Sequence, residues 1–208
     1  AIHVPEAGIV DYPGVCQKLS ELLTSGGTDI RLNTRVVAVR QKTDGVHIQT
    51  STENVVASQV VNCTGLYSDR VAKLSGQQMQ EQIVPFRGEY YVLKPEAEHL
   101  CRTLIYPVPD PEFPFLGVHF TRMIAGGVEC GPNAVLALSR EGYKWSNVNP
   151  RDLFEALTYS GFLRLALRYW KVGAGEIWRS LSKSAFVSAL QKLVPEIQKQ
   201  HLIPAASG

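Results

Sequence analysis

The sequence predicts a mixed α/β (α+β) fold in two unequal lobes: a smaller lobe of helix, antiparallel meander and buried strand, and a larger one built on a mostly antiparallel sheet with flanking helices. Three observations predict it. An amphipathic helix followed by short β-branched runs occupies the chain up to Gly76, a series of strand-like segments separated by turns begins near Ile83, and helical periodicity returns after Asn149. Residues 9–76 are read as the smaller lobe, residues 77–208 as the larger one, and residues 1–8 as an edge segment of the larger one.

Asp11 and Pro13 supply a helix start, and Val15, Leu19, Leu22 and Leu23 form an apolar stripe that closes at Gly26-Gly27, a pattern expected of a core helix. Asp29 to Leu32 and Thr34 to Gln41 read as strands, Thr43-Asp44-Gly45 as a hairpin turn, and Val46 to Thr50 and Val55 to Cys63 as further strands. Ser68 stands where an N-cap belongs, with Asp69 in the first turn of a short helix. In the larger lobe, Arg87 to Leu93, Thr103 to Tyr106, Leu116 to Arg122 and Gly127 to Cys130 are strand-like. Between them Pro107 to Pro114 carries four prolines, which deny backbone donors and stiffen an extended loop. That loop is either the wall of a pocket or a polyproline ligand. Asn149 and Pro150 are a cap and N1 pair for a helix running toward Trp170 with a break near Ser160-Gly161, and Ser184 to Leu193 reads as another helix.

Composition narrows the classes of function. The 208 residues are 45% apolar and 19% charged with a net charge of +2, which is the profile of an ordinary globular chain. No run of like charge gives a footprint for nucleic acid, and no apolar stretch approaches the roughly 18 residues of a spanning helix. Cys16, Cys63, Cys101 and Cys130 stand far apart without a C-x-x-C pair, so no metal or redox dithiol is expected and a reducing compartment fits best.

The segment Val60 to Gly76 has the form of a strand that stops at a glycine turn and enters a helix, a shape that serves either a cofactor loop or an ordinary connection. Its NCTGLYSDR block is followed in order by PFRGEYYVL, LIYPVPDPEFPFLGVHFTRM and VECGPNAVLALSREGY. Together these blocks resemble the L-2-hydroxyglutarate oxidase/dehydrogenase family, FAD-dependent oxidoreductases of the D-amino-acid-oxidase type, from about Pro5 to the last residue. The resemblance implies that Cys63, Thr64, Gly65 and Leu66 line FAD and that Val36 meets the adenine through its main chain. Without it, Val36 reads as a core valine. Such enzymes are expected to open with G-x-G-x-x-G, which appears nowhere in this sequence; the chain reads as the interior of a larger enzyme, expected to bind FAD weakly or not at all when isolated.

The implied reaction is oxidation of L-2-hydroxyglutarate to 2-oxoglutarate. A dicarboxylic substrate calls for planar cationic donors, and Arg87 and Arg122 are the candidates, with ion pairs to Glu89 or Glu129 as the structural alternative. His119 is the candidate base for the hydroxyl proton, or else a hydrogen-bonded strand histidine. Strand alternation sets it with Thr121 on one face and Val118 with Phe120 on the other. Tyr90, Tyr91 and Tyr106 bring hydroxyls on aromatic bodies, and Asn133 offers an amide to the pocket or stabilises a turn. At least three of Arg87, Tyr106, His119 and Arg122 are expected to line one concavity in the larger lobe. The electron acceptor is expected to be oxygen or a membrane quinone, and the location the cytoplasm, free or peripheral at a membrane, or the mitochondrion in a eukaryote. An amine, amino acid or glycerol 3-phosphate as substrate is the alternative on the same fold, and a domain without activity of its own is the other.

Overall fold

The computed structural model describes residues 2–109 and 117–208. The chain divides into two compact units, Asp11–Ile83 and a second formed by Ala1–Val10 with Val84–Gly208.

In the Asp11–Ile83 unit, helix α1 (Tyr12–Ser25) starts where Asp11 caps it, its carboxylate accepting from the Gly14 N–H at 3.1 Å. It ends at Gly26, whose N–H donates to the Leu22 carbonyl at 3.0 Å, and Gly27 leaves in the left-handed region with φ +85°. The expected core role of α1 is corrected: no α1 residue is buried, and Val15, Leu19, Leu22 and Leu23 are exposed. An amphipathic stripe is buried only where another element offers it an apolar face, and none of the described residues does so here.

Strands β1 (Val36–Lys42), β2 (Gly45–Thr50) and β3 (Asn54–Ala57) form an antiparallel meander in that order, with Val39 and Val46 buried. The segments Asp29 to Leu32 and Val60 to Cys63 are not strands, and Ile30, Leu32, Val60 and Val61 are exposed. A strand exists only where a neighbour completes its hydrogen-bond ladder, and apolar runs read from sequence do not say whether that neighbour is present. Helix α2 (Ser68–Leu74) follows a 3₁₀ turn over Gly65–Tyr67, so Ser68 is the first helical residue and not the cap. Asp69 is buried and ties the helix down, accepting from Arg70 N at 2.8 Å and Ile83 N at 3.2 Å.

The other unit is built on strands β4 (Phe86–Leu93), β5 (His119–Arg122), β6 (Val128–Leu136) and β7 (Leu202–Pro204), all antiparallel in the order β5-β6-β4-β7. The expected Thr103 to Tyr106 strand is reduced to a single bridge, Ile105 to Phe120. Of the proline loop, Asp110 to Pro114 lies outside the described residues, as does Leu116 at the expected start of β5. Helix α3 (Pro150–Thr158) is capped by Asn149, which accepts from Arg151 N at 3.0 Å and Asp152 N at 3.2 Å. Tyr159 is extended, which makes the expected break, and α4 (Ser160–Leu181) then runs on well beyond Trp170 with a kink at Tyr169. Helix α5 (Lys183–Leu190) stops before Leu193, and Gln191 to Leu193 turns instead.

Helix α5 and the segment through Ile197 cover one face of this sheet. Phe120 and Cys130 face each other across β5 and β6 with no exposure, packed among Leu93, Phe186, Leu190 and Ile197. Beside them the β4–β6 ladder carries a bulge in which Tyr90, between Glu89 and Tyr91, faces two β6 residues, Gly131 and Pro132, and lies along the sheet over two glycines. A Cβ on Gly131 would stand 2.7 Å from Tyr90 Cδ1, and one on Gly88 2.9 Å from Tyr90 Cε2; Gly131 also has φ +147°.

Three substitutions test this layout by urea denaturation of the purified chain. Phe120→Ala is expected to destabilise by about 3–5 kcal/mol. Gly131→Ala is expected to cost about 1–3 kcal/mol through backbone strain alone. Leu22→Ala is expected to stay within about 0.5 kcal/mol because its side chain is already exposed.

Candidate active site

The bond that fixes the chemistry of His119 is local. Its Nδ1 lies 3.1 Å from the Gly117 carbonyl, which can only accept, so Nδ1 carries the proton and the neutral ring presents Nε2 as a free base. Burial holds His119 below the usual histidine range, against a smaller upward pull from that carbonyl. The imidazole stacks on Tyr106, ring centroids 4.3 Å apart and planes at 19°, and the Tyr106 hydroxyl shares a hydrogen bond of 3.1 Å with Thr121.

Register assembles the rest. His119 is paired across the ladder with Gly131 and Thr121 with Glu129, so all four are set on the face opposite Phe120 and Cys130. Tyr90 lies over Gly131 on that same face. Burial, and then the charge of Glu129 and the neighbourhood of Tyr106, raise the Tyr90 hydroxyl, while burial alone raises Glu129. The result is a base flanked by hydroxyls and a carboxyl group with an elevated proton affinity. Sequence reasoning passed over Glu129 as a member of this group and over the glycine seat of Tyr90. The alternation of Val128-Glu129-Cys130 would have revealed Glu129, and Gly131-Pro132 inside a strand would have marked the bulge.

The arginines do not join His119. Strand alternation sets Arg122 on the Phe120 face, where its Nη1 donates to the Cys101 carbonyl at 3.1 Å. Arg87 is 2% exposed, pairs with Glu89 at 2.8 Å and stacks over Trp145 at 4.2 Å, while its Nη1 is buried without a partner among the described residues. The expectation that at least three of Arg87, Tyr106, His119 and Arg122 line one concavity is therefore corrected: the sheet itself separates the two arginines from Tyr106 and His119. For Arg87 the ion pair with Glu89 is the alternative that forms. Asn133 is not in a turn but inside β6, fully buried, donating to the Glu176 carbonyl at 2.9 Å and accepting from Arg179 Nε at 3.1 Å. Glu176 in turn accepts from Ala134 N at 3.1 Å and pairs with Arg179, so these groups fasten α4 to the sheet. Tyr91 points into the helical layer against Phe186, ring centroids 4.8 Å apart.

In the Asp11–Ile83 unit the implied cofactor residues lie on a turn built by Asn62. Its Oδ1 accepts from Thr64 Oγ1 at 2.6 Å and Thr64 N at 3.3 Å, and its Nδ2 donates to Ser68 O at 2.8 Å. Gly65 takes φ +52°, and a Cβ there would meet nothing within 4 Å. Backbone geometry thus demands glycine, and the main chain stays bare for a ligand. Cys63, Thr64, Gly65 and Leu66 are exposed, and Val36 is half-buried at the start of β1. These residues fit the edge of a nucleotide; a glycine-rich loop for its pyrophosphate is missing from the sequence.

Residues 1–183 match the profile of the family described as FAD dependent oxidoreductase. The whole chain is 51% identical over 209 residues to an L-2-hydroxyglutarate dehydrogenase of Indibacter alkaliphilus, covering 52% of that protein. It is 41% identical to the L-2-hydroxyglutarate dehydrogenase of Escherichia coli K12 and 41% identical to the mitochondrial one of Caenorhabditis elegans, covering 49% of each. The chain thus spans about half the length of the curated relatives it matches. Among solved structures, L-proline dehydrogenase from P. horikoshii superposes on 93% of the chain with TM-score 0.56 at 12% identity, covering 41% of that structure, which is a likeness of fold. The chain belongs to the FAD dependent oxidoreductase family.

Proposed function

We propose that this chain supplies part of the cofactor edge and the substrate face of an enzyme that oxidises L-2-hydroxyglutarate to 2-oxoglutarate. Identity of 51% along the whole chain to an L-2-hydroxyglutarate dehydrogenase supports the substrate. The observation that carries the mechanism is the tautomer of His119, protonated at Nδ1 by its bond to Gly117 and basic at Nε2. Oxidation of a secondary alcohol removes a proton from oxygen and a hydride from carbon. Bound FAD would supply the acceptor for the hydride from C2. His119 Nε2 takes the hydroxyl proton, and the bond from Nδ1 to the Gly117 carbonyl keeps the ring oriented as the charge develops.

Tyr106 holds His119 by stacking, and its hydroxyl, with that of Tyr90, donates to a substrate carboxylate. Burial raises the proton affinity of both Tyr90 and Glu129, which favours their neutral forms and lessens the repulsion of an anion. Arg87, Arg122 and Asn133, taken from sequence as substrate contacts, are proposed instead to hold the sheet and α4. For the cofactor, Val36 and the turn from Cys63 to Leu66 would hold the adenine and ribose. The electron acceptor in this reading is oxygen or a quinone, and a eukaryotic form would work in mitochondria, as the name of the Caenorhabditis elegans relative indicates for that protein.

The test is anaerobic mixing of the full-length, flavin-loaded protein with candidate substrates. L-2-hydroxyglutarate is expected to bleach the flavin, and glycine, L-proline and glycerol 3-phosphate are not; bleaching by one of those alone would transfer the reading to the alternative substrate class. His119→Gln is expected to slow flavin reduction by about 10²–10⁴-fold with flavin content unchanged. The active form of His119 is neutral and burial lowers its pKa, so activity is retained as pH falls until that lowered value is passed. The acidic limb of kcat/KM is therefore expected below the ordinary histidine value of about 6.5. A limb above neutrality, or an unchanged rate in His119→Gln, would remove the histidine from the mechanism. The isolated 208-residue chain is expected to emerge from gel filtration without stoichiometric flavin, since no G-x-G-x-x-G is present in it to hold a pyrophosphate.

A further inference from the structure

No step of the proposed reaction uses Thr121, yet its hydroxyl holds the ring that lies over His119. Tyr106 is 46% exposed, and a half-exposed side chain changes rotamer freely unless both its ends are fixed. The backbone end is fixed by sequence and pairing. Pro107 disfavours helical backbone at Tyr106, and the preceding residue, Ile105, exchanges two backbone hydrogen bonds of 3.0 and 2.9 Å with Phe120. Pro107 also lies against Gly117, whose carbonyl holds His119: a Cβ on that glycine would stand 3.6 Å from Pro107 Cγ. The outer end of the ring is fixed by one bond, the 3.1 Å contact between the Tyr106 hydroxyl and Thr121 Oγ1. Neither hydroxyl has another partner among the described residues.

The two hydroxyls carry two protons, and the bond between them uses one. A phenol is a stronger acid than an aliphatic alcohol, so a carboxylate arriving at this face takes the Tyr106 proton as its hydrogen bond, and Thr121 Oγ1 donates into the phenol oxygen behind it. That second bond polarises the phenol O–H and strengthens its hold on the anion. The other titratable groups on this face are Glu129 from β6 and Tyr90 from β4, and among the described residues neither bonds the imidazole. The stacked ring of Tyr106 is therefore the cover of His119 that Thr121 controls.

We propose that Thr121 is a positioning residue for the oxidation: through the Tyr106 hydroxyl it fixes the ring over His119 and aims the phenol proton at the substrate carboxylate, a role that rests on His119 being the base. Because Tyr106 and His119 are in contact at 4.3 Å, the two groups they take belong to adjacent carbons, which selects the carboxylate next to the reacting C2 over the distal one.

The flavin-loaded full-length protein is to be compared with Thr121→Val, Thr121→Ser, Tyr106→Phe and Tyr106→Phe/Thr121→Val, by calorimetric binding of 2-oxoglutarate and by the pH profile of kcat/KM. Valine keeps the branched shape and loses the donor. Thr121→Val is expected to bind 2-oxoglutarate about tenfold more weakly, the loss of one hydrogen bond in a chain that ends on a charge. Its acidic limb is expected to move up toward the ordinary histidine value, because a loosened ring buries the imidazole less and the neutral base is then lost at higher pH. Thr121→Ser is expected to restore both quantities, and the double variant to bind no more weakly than Tyr106→Phe, since the hydroxyls act as one unit. Unchanged binding and an unchanged limb in Thr121→Val, no restoration in Thr121→Ser, or additive losses in the double variant would overturn the role of Thr121. If Thr121→Val does not hold flavin, Tyr106→Phe decides, and binding as tight as in the unsubstituted protein overturns the role. His119→Gln separates the two readings: a slowed His119→Gln beside an unaltered Thr121→Val removes only the positioning role, whereas an unslowed His119→Gln removes the base and the positioning role together.

Discussion

The site depends on one pair of buried side chains, Phe120 on β5 and Cys130 on β6, which face each other with no solvent exposure. Because side chains alternate along a strand, sealing these two into the helical layer forces His119, Thr121, Glu129 and Gly131 to the other face. A slip of one residue would expose Phe120 and bury His119, so the core holds the register and the register holds the site. The same constraint keeps Arg122 away from His119 although only Phe120 and Thr121 separate the two in sequence.

Charge is handled differently on the two faces of the sheet. The helix-covered face buries Arg87 and Asn133 and pairs them with Glu89, Glu176 and Arg179, with Arg87 Nη1 left over among the described residues; loss of one member would leave a further buried charge or amide unpaired. The opposite face carries groups whose protonation is shifted by burial: His119 toward the neutral base, and Tyr90 and Glu129 toward their protonated forms. A base beside tyrosine hydroxyls and a carboxyl group of raised proton affinity suits removal of a proton from an anionic hydroxy acid better than a cluster of fixed charges would.

Much of this was legible in the sequence. Asp11 and Asn149 cap helices as their neighbours indicate, the helix break next to Ser160-Gly161 occurs at Tyr159, and period-2 alternation separates His119 and Thr121 from Phe120. The misread apolar segments have a common cause. Apolar pattern reports that a segment wants a partner, not that one is present, which is why Val60, Val61 and the α1 stripe were read as buried and are exposed. The arginines failed for another reason: an arginine in an apolar strand is equally suited to a carboxylate of the substrate or of Glu89, and only the fold decides. The seat of Tyr90 over Gly88 and Gly131 arises from a bulge opposite Gly131-Pro132; that pair marks an irregularity in β6, but which residue lies over it depends on pairing between distant segments.

The most direct test of the account is a crystal structure of the flavin-loaded full-length protein with 2-oxoglutarate bound. The account predicts the keto oxygen within hydrogen-bond distance of His119 Nε2, a carboxylate at the Tyr90 or Tyr106 hydroxyl, and the Arg87 to Glu89 pair intact. A 2-oxoglutarate carboxylate bound by Arg87 or Arg122 on the helix-covered face, with His119 untouched, would contradict it.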